Sequence, residues 1–161
     1  MAKFLGVLFL LALLFMLIYS KTYIIIETKE GNELFRILWD KGTQFEISYL
    51  HSVNRSPVSE FFSIEGEKIF LSSSRFLSFG AGIASLPEDS GGSLQTQSNH
   101  LEYANIHREI PYLGIFVPRE AQTTFHYQGQ SISLSSLAPP GTLLHFRIQR
   151  KPLLKEILCQ M

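Results

Sequence analysis

The sequence predicts an all-β fold, an antiparallel β-sandwich or partly open barrel, preceded by one N-terminal transmembrane or signal helix. Three observations support this. After residue 20, apolar side chains alternate with polar ones in one short run after another. Gly and Pro turns separate these runs at regular spacing. The first 19 residues, in contrast, carry a single charge, Lys3.

Residues 1–20 are predicted to be a signal anchor, because residues 4–19 read FLGVLFLLALLFMLIY without a charge. Sixteen helical residues would span about 24 Å, and a hydrocarbon core needs about 30 Å. Lys3 and Lys21 can snorkel at the two ends, and Tyr19 suits the interface. A cleaved signal peptide is the alternative, although the bulky residues 16–21 make a poor cleavage site. In either case residues 21–161 form a domain on the extracytoplasmic side of the cell membrane. An uncleaved segment would make the protein single-pass.

The predicted strands follow in order from residue 23. They cover residues 23–28, 33–40, 44–53, 58–65, 68–79, 114–117, 123–127, 131–137 and 143–150. Turn residues such as Lys41-Gly42 separate neighbouring runs. Residues 153–159 suit a short helix or a last strand. No segment offers the helices of 10–15 residues that parallel crossovers require, so the sheets are expected to be antiparallel.

Residues 85–100, SLPEDSGGSLQTQSNH, are predicted to be a long polar loop because only Leu86 and Leu94 are apolar. Loops of this length inside a domain are uncommon and are either mobile or functional.

Composition argues against several classes of function. Fourteen basic side chains balance fourteen acidic ones, so no excess of positive charge points to a nucleic-acid partner. The single cysteine, Cys159, excludes an internal disulfide and a Cys-rich zinc site. The five histidines lack metal-ligand spacing. We therefore expect no metal and no cofactor.

The densest group of reactive side chains lies in residues 51–60. If Ile47 faces Ile64 in a hairpin, His51 lies opposite Glu60 on the core-facing side, with Cβ atoms about 5 Å apart. A carboxylate beside a histidine fixes its tautomer, either for base catalysis or for a structural clamp of the loop. Ser52 points to the other face of the strand and is badly placed as the nucleophile of this base.

Gly80 and Gly82 form a second candidate site, because two glycines around an alanine allow a bend or a backbone nest that binds an anion. Arg55 and Arg75 could supply cations for a carboxylate ligand. The segment is not a dinucleotide fingerprint, since the third glycine is missing.

Several of these motifs together resemble a small bacterial family of domains of unknown function. The shared features are HSV at residues 51–53, PV at 57–58 followed by Glu60, and FGAG at 79–82. A weaker likeness runs from His126 to Gly141, so the resemblance covers roughly residues 35–150. Genes of this family are frequently neighbours of TAXI-type TRAP transporters. The resemblance implies a context, because no activity is established for the family.

The expected function is that of an accessory protein, held at the membrane by residues 4–19. Its β domain would contact a TRAP-type (TAXI) transporter subunit or the solute-binding protein of that system. The ligand-binding or loop-clamp candidates are His51, Ser52, Glu60, Gly80, Gly82 and His126. Two alternatives remain open, a small envelope hydrolase that uses a His51/Glu60 dyad, and a purely structural envelope protein.

Overall fold

The computed structural model describes residues 4, 6–8, 10, 14–15, 19–51, 55–77, 92–97, 99–120 and 122–152. These residues form two antiparallel β-sheets and a short 3-10 helix, Leu134–Ser136. The strands are β1 (Ser20–Thr28), β2 (Glu33–Leu38), β3 (Phe45–Leu50), β4 (Pro57–Glu65), β5 (Lys68–Phe76), β6 (Ser93–Thr96), β7 (Leu101–Ala104), β8 (Arg108–Ile110), β9 (Leu113–Phe116), β10 (Thr123–Tyr127), β11 (Gln130–Ser133) and β12 (Leu143–Pro152).

The smaller sheet has the strand order β2-β1-β12-β9. Its central pairing joins β1 to β12 in antiparallel register, from Ser20 opposite Pro152 to Thr28 opposite Leu144. Ile24 and Ile26 lie on the inner face and are fully buried, as the alternation of side chains requires.

The larger sheet has the order β11-β10-β3-β4-β5-β7-β6, and β8 pairs with β5 beside this path. A bulge between Phe61 and Phe62 shifts the register of β4 against β5. The alternation in β4 buries Val58, Phe62 and Ile64 on the inner face.

Aromatic rings from both sheets meet in the core around Phe45. Its ring centroid lies 5.1 Å from that of Phe62, 5.7 Å from Phe125, 6.3 Å from Phe146 and 6.3 Å from Trp39. Aromatic pairs at these spacings add to the stabilisation that comes from burial alone. This cluster joins the two sheets into one sandwich.

The larger sheet has two ends, which we call the loop end and the turn end. The loop end is where β3 stops at Leu50, β4 begins at Pro57 and β5 stops at Phe76. The turn end is the opposite one, where the turn at residues 66–67 joins β4 to β5. Ser20 and Arg150 of the smaller sheet line a cleft together with Glu65 and Gly66, so β1 begins and β12 finishes at the turn end.

The expected all-β antiparallel architecture is confirmed, and the arrangement is a sandwich. Two details of the prediction are wrong. Part of the predicted polar loop 85–100 is strand β6, whose side chains are all exposed, so no apolar alternation marked it. Residues 134–136, expected in a strand, form the 3-10 helix instead. The short strands β7 and β8 were not predicted either.

The N-terminal segment is helical at Phe4, residues 6–8, Leu10 and residues 14–15. The other residues of the predicted anchor before Tyr19, like residues 153–159, lie outside the described residues. Among those that are described, no helix has both the length and the apolar character needed to cross a membrane.

Candidate functional site

The β3–β4 connection at the loop end is a tight loop closed by backbone hydrogen bonds. The N–H of His51 donates to the carbonyl of Ser56 at 2.9 Å, and the carbonyl of His51 accepts from the N–H of Arg55 at 3.0 Å. Arg55 has φ of 50°, a left-handed conformation that is uncommon for a residue other than glycine and is often found at functional sites. Ser52 lies outside the described residues.

Buried polar side chains are concentrated at the same end. In the part of the chain that the structure describes, the buried polar residues are Ser56 and Thr123. Ser56 closes the loop, and Thr123 begins β10 directly opposite Tyr49 of β3. Buried polar groups need partners, so they restrict the loop end to one arrangement.

The predicted pairing of His51 with Glu60 is wrong, because the hairpin has another register. Ile47 lies opposite Glu60 rather than Ile64. Glu60 is therefore four residues further along the strand than the partner position of His51, which Ser56 occupies. At about 3.3 Å per residue this separates the two by about 13 Å, too far for a hydrogen-bonded dyad.

The pattern of apolar residues could not reveal this difference. A slip of four residues leaves every side chain on its original face, so both registers bury the same residues. The observed register closes a shorter loop and places Phe45 directly opposite Phe62, where their rings stack at an angle of 16°. His51 and Glu60 therefore do not form a pair.

Glu60 instead lies in the middle of a row of inner-face residues. Its neighbours in register are Ile47 on β3 and Ser74 on β5, and Ser74 in turn lies opposite Tyr103 on β7. Tyr49 is the diagonal neighbour of Glu60, since its direct partner is Val58. A carboxyl group thus lies among apolar and hydroxyl side chains on the inner face, near the loop end.

Electrostatics at this position follow from burial. Burial raises the pKa of Glu60 above its ordinary value because the charged form is poorly solvated, and the positive charge of Arg108 opposes this only in part. Burial, together with the negative charge of Glu60, raises the pKa of Tyr49 to about 12.

His126 lies elsewhere, on the outer face of the larger sheet. Its Nε2 is 2.8 Å from Ser48 Oγ on β3, and its Nδ1 is 2.8 Å from Ser131 Oγ on β11. Both ring nitrogens are occupied, so the imidazole joins three strands through their side chains. His126 thus has a structural role of the kind considered for a loop clamp, but it connects strands rather than a loop.

The outer face at the loop end carries an apolar row. Leu50, the last residue of β3, and Leu77, the residue after β5, are 42% and 51% exposed. Leu50 lies opposite Pro57 in register, and Leu77 follows Phe76, the partner of Val58. We call Leu50, Pro57 and Leu77 the apolar row. Apolar groups that lie near one another on a surface are typical of protein-binding sites.

The second predicted motif cannot be placed in the fold. Gly80 and Gly82, with residues 78–91 as a whole, lie outside the described residues. Of the residues that carry the resemblance, His51, Pro57 and Val58 lie at the loop end, where β5 also finishes at Phe76. Among the described residues, no three His, Cys, Asp or Glu side chains are grouped so that they could hold a metal ion.

Comparison with known families gives a match to a family of unknown function. The family model described as a domain of unknown function (DUF1850) matches residues 45–134, more than half of the chain. The chain belongs to the DUF1850 family. No curated protein and no solved structure gives a significant match.

The DUF1850 match begins at the first residue of β3 and ends at the 3-10 helix. It therefore contains every strand of the larger sheet, whereas β1, β2 and β12 of the smaller sheet lie outside it. The region common to the family is thus the sheet that carries the loop end, Glu60 and His126.

Sequence reasoning missed Tyr49 and the apolar row. For Leu50 a signal was present, because it continues the outward positions of Glu46 and Ser48 and breaks their polar pattern. No such signal existed for Tyr49, whose role depends on the register that places it diagonally to Glu60.

Proposed function

We propose that this DUF1850 domain is the recognition domain of an accessory protein of a TAXI-type TRAP solute transport system. Residues 4–19 would hold it at the cell membrane, with the domain on the extracytoplasmic side. The observation that carries the proposal is the separation of the two ends. The chain enters β1 at the turn end, whereas Pro57 and Val58 of the first motif of the family resemblance lie at the loop end.

The distance between the two ends is comparable to the length of one strand. Strand β4 runs from the loop end to the turn end over nine residues, which is about 30 Å at 3.3 Å per residue. A tether at the turn end would present the loop end away from the bilayer. A surface held at this height suits a soluble protein in the extracytoplasmic space better than a partner buried in the membrane.

The apolar row supports a protein as the partner. It is exposed, and Leu50 and Pro57 are held opposite each other next to the hydrogen bond from the His51 N–H to the Ser56 carbonyl. A preformed apolar surface binds without a large cost of ordering. We therefore favour the solute-binding protein of the transport system over its membrane subunits as the partner.

Purification of the tagged full chain from native membranes in mild detergent, with mass spectrometry of the proteins recovered, tests this proposal. We expect the solute-binding protein or another transporter subunit at stoichiometric yield, and none with a chain that carries only the N-terminal segment. The double variant Leu50→Asp/Leu77→Asp should reduce recovery at least tenfold.

Leu38→Asp is the matched control, because Leu38 is 48% exposed but lies at the turn end. It should keep the partner. Recovery of the protein alone, also after cross-linking, would reject the accessory function and favour a structural one. Equal recovery by the double variant would remove the apolar row from the interface.

A further inference from the structure

A histidine and two serines form a hydrogen-bonded chain on the outer face of the larger sheet. His126 Nε2 lies 2.8 Å from Ser48 Oγ, and His126 Nδ1 lies 2.8 Å from Ser131 Oγ. In a neutral imidazole one ring nitrogen accepts a hydrogen bond and the other donates one. The three side chains therefore have the connectivity of a nucleophile, a base and a group that orients the base.

The strand register holds this chain of side chains in place. Ser131 lies directly opposite His126, and Ser48 is its diagonal neighbour, since the direct partner of Ser48 is Thr124. Neighbours of both kinds on one face of a sheet are within reach of each other. All three residues belong to strands and lie within the DUF1850 match, and functional groups on strands are positioned more precisely than groups on loops.

The surroundings distinguish the two serines. Ser48 lies between Thr124 on β10 and Ser59 on β4, which are directly opposite it on the two neighbouring strands. Hydroxyl groups at such positions can donate hydrogen bonds to the oxyanion that forms when a serine attacks a carbonyl group. In the part of the chain that the structure describes, Ser131 has a neighbouring strand on one side only, because β11 is the first strand of the sheet. The surroundings therefore favour Ser48 as the nucleophile.

We propose that this site hydrolyses short-chain acyl esters, with Ser48 as the nucleophile, His126 as the general base and Ser131 as a positioning residue. Ser48 Oγ forms a bond to the acyl carbon while its proton passes to His126 Nε2. The bond from that carbon to the alcohol oxygen then breaks, and the alcohol leaves with the proton from Nε2. Water attacks the acyl-serine in the same way, which releases the carboxylic acid and returns a proton to Ser48 Oγ.

The length of the acyl group follows from the neighbouring outer-face residues. Leu50 lies two residues beyond Ser48 on β3, about 7 Å along the strand, and Pro57 lies directly opposite Leu50. The end of a butyryl chain reaches van der Waals contact with these side chains, and an acetyl group is too short. The activity goes beyond the function proposed above and does not depend on it, because neither a membrane tether nor a transporter takes part.

The test uses the purified full chain in nonionic detergent with a fluorophosphonate probe, which forms a covalent bond to activated serines. Mass spectrometry should find one label per chain, on Ser48. The chain should also hydrolyse p-nitrophenyl butyrate severalfold faster than p-nitrophenyl acetate. A label on another serine would overturn the assignment of the nucleophile. An equal or faster reaction of the acetate would overturn the placement of the acyl group on Leu50.

Variants separate the three roles. Ser48→Ala should abolish both labelling and hydrolysis, and His126→Gln should slow both by about a hundredfold or more. Ser131→Ala should lower kcat about tenfold with little change in KM, and Ser131→Thr, which keeps the hydroxyl, should restore it. Ser133→Ala is the matched control, because Ser133 lies on the same face of β11 and its Oγ lies 2.8 Å from Ser135 Oγ rather than beside His126.

A purely structural role of the three side chains gives a different result. A folded chain that takes no probe and hydrolyses neither ester would reject the activity and leave His126 as a connection between strands. Hydrolysis that persists in Ser48→Ala would reject Ser48 as the nucleophile. The thermal transition of each variant is measured alongside, and Ser48→Ala decides the test if His126→Gln does not fold.

Discussion

The loop end and the turn end of the larger sheet differ in which side chains are buried and which are exposed. At the loop end, polar side chains are buried inside and apolar ones face water, as Ser56 and Leu50 illustrate. At the turn end, Trp39 and Ile64 line a cleft together with side chains of both charges, such as Lys41 and Asp40. A single sandwich thus carries two surfaces of different chemistry, about 30 Å apart. The difference teaches that position along the strands separates two surfaces of different composition within one domain.

The aromatic core between the two ends should determine the stability of both. Replacing Phe45 by Ala removes the ring that contacts four other aromatic side chains from both sheets, and we expect a loss of about 3–5 kcal/mol in the free energy of unfolding. Chemical denaturation measures it. Phe116→Ala is the control, since Phe116 is 65% exposed and should cost far less. Retention of one folded end after the other unfolds would show that the ends are separate units.

At the turn end, Tyr127→Phe should have an intermediate effect. The Tyr127 hydroxyl accepts a hydrogen bond from the backbone N–H of Asp40 at 2.6 Å and lies 3.1 Å from Thr43 Oγ1. Without it the N–H of Asp40 loses its partner, and we expect a loss of about 1–3 kcal/mol in stability. Tyr112→Phe, at an exposed tyrosine, should leave the denaturation midpoint unchanged. Equal effects of the two variants would contradict a structural role of this hydroxyl.

At the loop end, Glu60→Gln should produce the smallest effect, and one that depends on pH. The pKa of Glu60 is raised in the folded state, so the folded chain binds this proton more tightly than the unfolded chain. Its contribution to stability therefore falls as pH rises from about the ordinary value of 4.5 through the raised value, and it stays reduced above.

The Gln variant removes this cost. Thermal melts at pH 8 should show a midpoint a few degrees above that of the unchanged protein, and melts at pH 4 should coincide. Glu46→Gln, on the outer face of β3, is the control. A difference between Glu60→Gln and the unchanged protein that is the same at both pH values would show that burial does not raise the pKa of Glu60.

Much of the fold could be predicted because it depends on short-range alternation. Strands such as β10 and β12 were located within a few residues, since their apolar side chains recur at every second position. Strand β6 escaped because all its side chains are exposed, and only its backbone pairing with β7 defines it.

The candidate site was predicted less well, because the sequence pattern does not determine the register of β3 against β4. The sequence predicted His51 and Glu60 at one level of the sheet, and the register separates them by four residues. Aromatic stacking of Phe45 on Phe62 and closure of the β3–β4 loop select among registers that bury the same residues. Likewise, nothing local in the sequence brings Ser48, His126 and Ser131 together, because they come from three strands.

By itself, the sequence determined the fold class, the strands with alternating burial, the faces on which candidate residues lie and the resemblance to a family. These follow from a period of two residues and from local motifs. Only the tertiary structure decided which residues meet across strands, where the loop end and the turn end lie, and which charges surround the cleft. Those features depend on the pairing of segments distant in the chain, such as β1 with β12, and pairing energy is shared among many contacts that no single motif encodes.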